Sequence, residues 1–149
     1  MQLNWILTAF EKLSPAELYA ILRLRNEVFV IEQNCIYQDA DNKDQSSLHL
    51  CGWAQDELVA YTRIMPPGLS YEECSIGRVV TSPAHRRSGA GRELMRVSIE
   101  KAFDAFNTET IKIGAQLYLK KFYASLGFVQ CSDEYLEDGI PHILMLLRK

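Results

Sequence analysis

The residues with the clearest chemical consequence are Arg86, Arg87, Ser88, Gly89, Ala90, Gly91 and Arg92. They follow Ile76-Gly77-Arg78-Val79-Val80-Thr81, a β-branched run closed by Ser82-Pro83. They precede a segment whose apolar residues Met95, Ile99, Ala102, Phe103 and Phe106 fall at helical spacing. The order is strand, glycine-bearing loop, helix start. Unpaired N–H groups at a helix start, helped by the macrodipole and nearby arginines, form a cradle for an anion. Two glycines let the main chain approach phosphate oxygens closely. The stretch predicts a ligand carrying a diphosphate.

Spacing narrows the ligand. A dinucleotide fingerprint has Leu94 where its third glycine belongs, and no glycine here is followed by the lysine of a Walker loop. Composition adds exclusions. The chain of 149 residues suits one domain, residues 1–149, with a substantial core. Its formal charge of −3 argues against nucleic acid, whose partners carry a basic excess. The arginines cluster locally instead, at Arg78, Arg86, Arg87 and Arg92, as a small anionic ligand requires.

Cys35, Cys51, Cys74 and Cys131 include no C-x-x-C pair, so neither a zinc nor a redox motif is read. The first residues lack the basic and apolar regions of a signal peptide, and no apolar run approaches the ~20 residues of a membrane span. The expectation is a cytoplasmic protein with reduced thiols and no membrane association, as monomer or homodimer. Asp39 to Asp44 superficially suggests a calcium loop. Lys43 occupies a ligand position, Asp44 replaces the glycine and Leu50 replaces the bidentate glutamate, so no metal is assigned.

The elements that must position the loop can be read around it. Leu3 to Thr8 reads as a first strand. Ser14-Pro15-Ala16-Glu17 is a capping box with proline at N1, starting a helix that runs to about Val30. Gln33 to Ser47 reads as polar loop. Leu48 to Ala54 and Leu58 to Met65 form a hairpin. After the strand ending at Thr81 and the long helix, Thr110 to Gly114 is another strand. A helix with Leu119, Phe122, Tyr123 and Leu126 on one face stops at Gly127. Phe128 to Tyr135 and Ile143 to Leu147 close the chain as two strands. The fold class is α/β, a mixed central sheet flanked by helices.

The R-x-x-G-x-G loop, this element order and Phe122-Tyr123-Ala124-Ser125-Leu126-Gly127-Phe128 resemble the GCN5-related N-acetyltransferases (GNAT). Further segments resemble the ElaA-type subgroup. They are Arg25 to Gln33, Asp41, Asp44, His49, Ile76 to Val79, Ala115-Gln116 and Glu137-Asp138-Gly139-Ile140-Pro141-His142. Arg87 departs from the pattern, since glycine is usual there. Arg25, Phe29, Asp41, Asp44 and Arg63 also resemble acyl-homoserine-lactone synthases, which are related in fold. A non-catalytic acyl-CoA-binding module is the third reading.

The resemblance implies acetyl transfer from acetyl-CoA to the amine of a small molecule or peptide, with the coenzyme in a split between the two central strands. Val79, Val80 and Thr81 would hold the pantetheine by their backbone, and residues 87 to 92 the pyrophosphate, with Arg86 alongside. Gln116 falls near the coenzyme, and a main-chain N–H near Val79 is a natural oxyanion donor. Tyr123 is the expected partner of the leaving thiolate. The attacking amine must lose a proton, which for a lysine-like group costs roughly 4.6 kcal/mol at pH 7. His142 and Glu137 are the first candidates for that base, ahead of Glu72, Glu73 and His49. The acceptor is expected between Phe29–Asp44 and Tyr135–His142, with Glu32, Asp41, Asp44, Glu137 and Asp138 suiting a cation.

Overall fold

A computed structural model describes residues 2–149. Strand β1 (Asn4–Ala9) leads to helix α1 (Pro15–Arg25). Its start is fixed by the capping box: Glu17 N–H donates to Ser14 Oγ at 3.1 Å and Ser14 N–H to Glu17 Oε1 at 2.8 Å. The helix passes Val30 and ends at Glu32, because residues Asn26–Glu32 widen into a π-helical turn. Such turns are rare and, where they occur, are frequent at functional sites. Strands β2 (Leu48–Ala54), β3 (Glu57–Met65) and β4 (Ser75–Thr81) follow.

Helix α2 (Ala90–Phe106) then packs Leu94, Met95, Ala102 and Phe103 into the core, and strand β5 (Thr110–Gln116) returns beside it. Short helix α3 (Lys120–Ala124) precedes β6 (Val129–Gln130), β7 (Tyr135–Glu137) and β8 (Ile140–Arg148). Three strands therefore stand where the sequence reading gave two. The run from Phe128 to Tyr135 is interrupted at Ser132, whose Oγ takes the Leu144 N–H at 2.8 Å in place of a backbone carbonyl. Phe128 turns inward as a core residue, edge-on to Tyr123.

The expected α/β architecture is present, with one refinement. The central surface consists of two antiparallel sheets, β1-β2-β3-β4 and β5-β8-β6, with β7 on β8. A single parallel bridge, Cys74 to Ile111, joins them, with the Lys112 N–H donating to the Cys74 carbonyl at 2.9 Å. Beyond that bridge β4 and β5 separate. The split implied by the family resemblance is this separation.

A bulge shapes the β4 side of the split. Tyr61 pairs with Val80 and Arg63 with Gly77, so Arg78 and Val79 together oppose Thr62. Arg78 is left-handed, at φ 50°. Thr62 donates to Ser98 Oγ at 2.7 Å, and Ser98 donates to the Leu94 carbonyl at 2.7 Å, which ties the bulge to α2.

Candidate active site

The split opens into a cavity of about 440 Å³. Gly77, Arg78, Val79, Val80 and Thr81 line one wall, and Ile113, Gly114 and Gln116 the other. Glu32 and Arg86 line it too, as do Gln33, Cys35, Tyr37, Tyr123, Glu137, Asp138, Ile140 and His142. Residues chosen from distant parts of the sequence thus share one space. A side chain at Gly114 would meet Tyr135 Oη at 3.0 Å and Tyr71 Oη at 3.1 Å, so glycine there keeps the wall thin.

The loop before α2 has the form of an anion cradle. Arg87 and Gly89 are left-handed, at φ 65° and 83°, and no side chain caps the first turn of α2. Its first N–H groups are therefore free for a ligand. A Cβ at Gly89 or Gly91 would meet nothing within 4 Å, so these glycines leave open space above the main chain. That space and those donors fit a diphosphate.

The arginines are less free than their clustering suggested. Arg86 forms a fork on Glu32, at 2.6 and 2.9 Å, and Arg92 donates to Ser125 Oγ at 2.9 Å. Arg78 is paired with Asp39 and Asp41, so its charge is already met within the protein. Arg87 carries no ion pair among the described residues.

Asp41 and Asp44 are likewise committed. Fully buried Arg25 holds Asp39 (2.7 Å) and Asp44 (2.8 Å). Arg63 holds Asp41 (2.8 Å) and Asp44 (2.9 Å), and Arg78 holds Asp39 (2.8 Å) and Asp41 (3.3 Å). Three guanidinium groups and three carboxylates close on themselves, so the acidic loop is not a cation site. His49 belongs to the same structure and lies outside the cavity. Its Nε2–H donates to the Asp44 carbonyl at 2.9 Å and its Nδ1 accepts from Tyr61 at 2.6 Å, while burial lowers its pKa. Glu73 pairs with Lys112 at 3.4 Å and Glu72 is exposed, so neither lines the cavity.

Tyr123 is 5% exposed, wedged edge-on between Phe122 and Phe128. Burial pushes its pKa up to about 12, so the hydroxyl stays protonated at physiological pH. His142 is 5% exposed and stacks on Tyr135 with centroids 5.8 Å apart. Its Nδ1–H donates to the Ile140 carbonyl at 2.7 Å, which leaves Nε2 as an acceptor. Glu137 Oε2 lies 3.6 Å from that nitrogen. Gln116 reaches Gln33 across the cleft at 3.4 Å.

Gln33, Cys35 and Tyr37 line the cavity from within the Phe29–Asp44 segment without having been singled out for a role, and Tyr118 lines it without having been marked at all. The signal for Gln33, Cys35 and Tyr37 was position in a loop longer than a connection needs; Tyr118, in the short turn between β5 and α3, carried none. No group of three or more histidine, cysteine or acidic residues is placed to hold a metal among the described residues. Likewise no described helix is long and apolar enough to cross a membrane.

Comparison with known proteins fits this architecture. The family profile described as "Acetyltransferase (GNAT) domain" matches residues 12–149. Protein ElaA of Escherichia coli is 43% identical over 145 residues, covering 96% of this chain and 95% of the relative. Its crystal structure matches at TM-score 0.92 and 41% identity, over 99% of this chain and 100% of that one. A structure of an acyl-CoA N-acyltransferase from Pseudomonas aeruginosa matches at TM-score 0.93 and 39% identity, covering 98% and 99%. The UPF0039 protein sll0451 of Synechocystis is 43% identical over 149 residues, covering 99% and 97%. The chain belongs to the GNAT acetyltransferase family, and within it to the ElaA-type subgroup.

The charge network gives stability a defined acid limit. The hydrogen bonds and charge of Arg63 outweigh burial and hold the Asp41 pKa down at about 2, against an ordinary 3.8. Arg25 and Arg63 lower that of Asp44 likewise. A folded pKa below the unfolded one adds stability that is complete above about 4 and lost as pH falls toward 2. Urea melts across that interval should show the loss. Asp41→Asn should be less stable at pH 7 and should lose less between pH 4 and 2; an unchanged slope would exclude this carboxylate as the acid-sensitive contact.

Proposed function

We propose that this protein transfers an acetyl group from acetyl-CoA to a primary amine of a small molecule or peptide, by direct attack in a ternary complex. The observation that carries the reading is the continuity of the cavity. One space joins the splayed β4 backbone, Tyr123 and the Glu137–His142 turn, and its lining includes Arg86, which directly precedes the loop into α2. Four unpaired thiols suit a cytoplasmic setting.

In this reading the main chain of Val79, Val80 and Thr81 pairs with the extended pantetheine as an added strand would. N–H groups of residues 87 to 92 take the pyrophosphate, with Arg87 and Arg92 supplying positive charge and Arg86, forked on Glu32, alongside. Gln116 lies beside the coenzyme's arm. The Val79 N–H, at the bulge, donates to the thioester oxygen as charge develops there. Amine attack forms the C–N bond and breaks the C–S bond. His142 Nε2 receives the amine proton, and Glu137 stabilises the imidazolium that results.

Tyr123 donates a hydrogen bond to the departing sulfur. Full proton transfer from a phenol at about 12 to a thiolate near 8.5 is uphill by about 5 kcal/mol, so the hydrogen bond is the catalytic contribution.

Three measurements test this assignment. Gly91→Asp puts a carboxylate where phosphate is expected, at a position with open space around it. An acidic residue in a helix's first turn favours the fold. The variant should therefore melt no lower than wild type yet bind coenzyme A at least tenfold more weakly by titration calorimetry. Unchanged affinity would remove the phosphate loop. Tyr123→Phe should cut turnover roughly 10²-fold with acetyl-CoA affinity preserved. Full turnover would reduce Tyr123 to packing, and coenzyme binding without turnover on any amine of a panel would select the non-catalytic module. His142→Ala and Glu137→Gln should raise the amine KM or displace the pH–rate profile without altering acetyl-CoA affinity. Unchanged amine kinetics with a lower melting temperature would make the turn structural.

A further inference from the structure

Arg78 occupies the left-handed position of the β4 bulge, at φ 50°. Non-glycine residues are uncommon there, and glycine or asparagine adopts this conformation with less strain. The side chain is held from several directions. Its Nε donates to Asp39 Oδ1 at 2.8 Å, and Nη2 to the Asp39 carbonyl at 2.9 Å and Asp41 Oδ2 at 3.3 Å. The guanidinium also lies over the Tyr37 ring, 5.7 Å from its centroid. Asp39 and Asp41 are themselves gripped by Arg25 and Arg63, which stand on the first helix and on β3. The anchor is therefore rigid.

Neutralising the acidic loop does not require this arrangement. A third cation on any neighbouring element would balance the charge. It is placed instead on the strained residue, directly before Val79. A strained backbone persists where its surroundings over-determine it, and such sites concentrate where geometry serves function. The same clamp reaches both ends of the chemistry. Val79 lines the coenzyme side of the cavity, while Tyr37 and Cys35, on the clamped loop, line the acceptor side.

We propose that Arg78 is a positioning residue for acyl transfer. Clamped by Asp39 and Asp41, its guanidinium holds residue 78 left-handed and so aims the Val79 N–H at the thioester carbonyl. It also fixes the acceptor wall relative to that donor. The proposal rests on acyl transfer taking place in this cleft. It gives Arg78 no contact with either substrate.

The test compares Arg78→Ala, Arg78→Lys and wild type in three readouts. The first is the infrared carbonyl stretch of bound, isotopically labelled acetyl-CoA, which reports the hydrogen bond to the thioester without turnover. The second is the division of amine kinetics between kcat and KM. The third is rescue of Arg78→Ala by millimolar guanidinium. Loss of aim should abolish the lowering of the carbonyl stretch and cut kcat roughly 10- to 100-fold. Acetyl-CoA affinity should stay within about twofold, Arg78→Lys should fall between, and guanidinium should restore both signals to Arg78→Ala.

A raised amine KM with unchanged kcat and stretch would place Arg78 against the acceptor and overturn the proposal. So would a loss of rate that matches only the loss of folded protein. If wild type acetylates no amine, the function reading fails while the carbonyl stretch still decides the role of Arg78. If acetyl-CoA does not bind, backbone chemical shifts of residues 78 and 79 in the free variants decide it, and unchanged shifts in Arg78→Ala would overturn it.

Discussion

Arg25 has no accessible surface, and much of this structure follows from that burial. A guanidinium cannot escape by losing its proton, so removing it from water costs several kcal/mol unless anions replace the water. The anions come from Asp39 and Asp44, which brings the segment after the first helix back over the sheet. Two carboxylates beside one cation, with Asp41 adjacent, then require Arg63 and Arg78. The closed set of three and three holds a long connection that has little apolar surface to fix it. That connection is one wall of the cavity. The charges serve geometry there, and their cost in desolvation explains why none is left to greet a ligand.

The parting of β4 from β5 is the complementary constraint. A central strand that lets go of its neighbour exposes backbone donors and acceptors, which need partners. Water can supply them in the free protein, and an extended ligand can supply them in a complex. The bridge at Cys74 to Ile111 keeps the sheets joined at one end, while the bulge turns β4 away at the other. The tie from Thr62 through Ser98 to the Leu94 carbonyl anchors that bulge on the second helix, just beyond the anion cradle at its start. Cradle and bulge are thereby held by one rigid element.

Features governed by local rules were legible in the sequence. The capping box at Ser14, the glycine loop before Ala90 and the hairpin ending at Met65 depend on neighbours a few residues away. Partner choice between distant residues was not legible. The sequence showed Arg78, Arg86 and Arg92 as one cationic cluster, but each found a partner at least 30 residues distant: Asp39, Glu32 and Ser125. Asp41 and Asp44 were misread for the same reason. The last strands were misread because one hydroxyl, that of Ser132, takes over a backbone hydrogen bond. The π-turn at Asn26–Glu32 leaves no mark, since its residues suit an ordinary helix equally well.

The two halves of the cavity accordingly rest on different physics. The half proposed for the coenzyme is main chain: free N–H groups, the open glycines Gly89 and Gly91, and a splayed strand. Such features tolerate sequence change where backbone conformation survives. The half proposed for the acceptor is side chains carried on connections, joined by contacts as remote as Cys35 Sγ to the Asp138 carbonyl, at 3.5 Å. In that half Glu32 is spent on Arg86, and Asp39, Asp41 and Asp44 on arginines. Glu137 and Asp138 remain, exposed on a tight turn whose left-handed Asp138 and Gly139 fix its shape. A turn of this kind can change its side chains without disturbing the strands that carry it. Under the proposed function, selectivity for the amine would thereby be separable from grip on the coenzyme, and the residual negative charge beside His142 would favour a cationic acceptor.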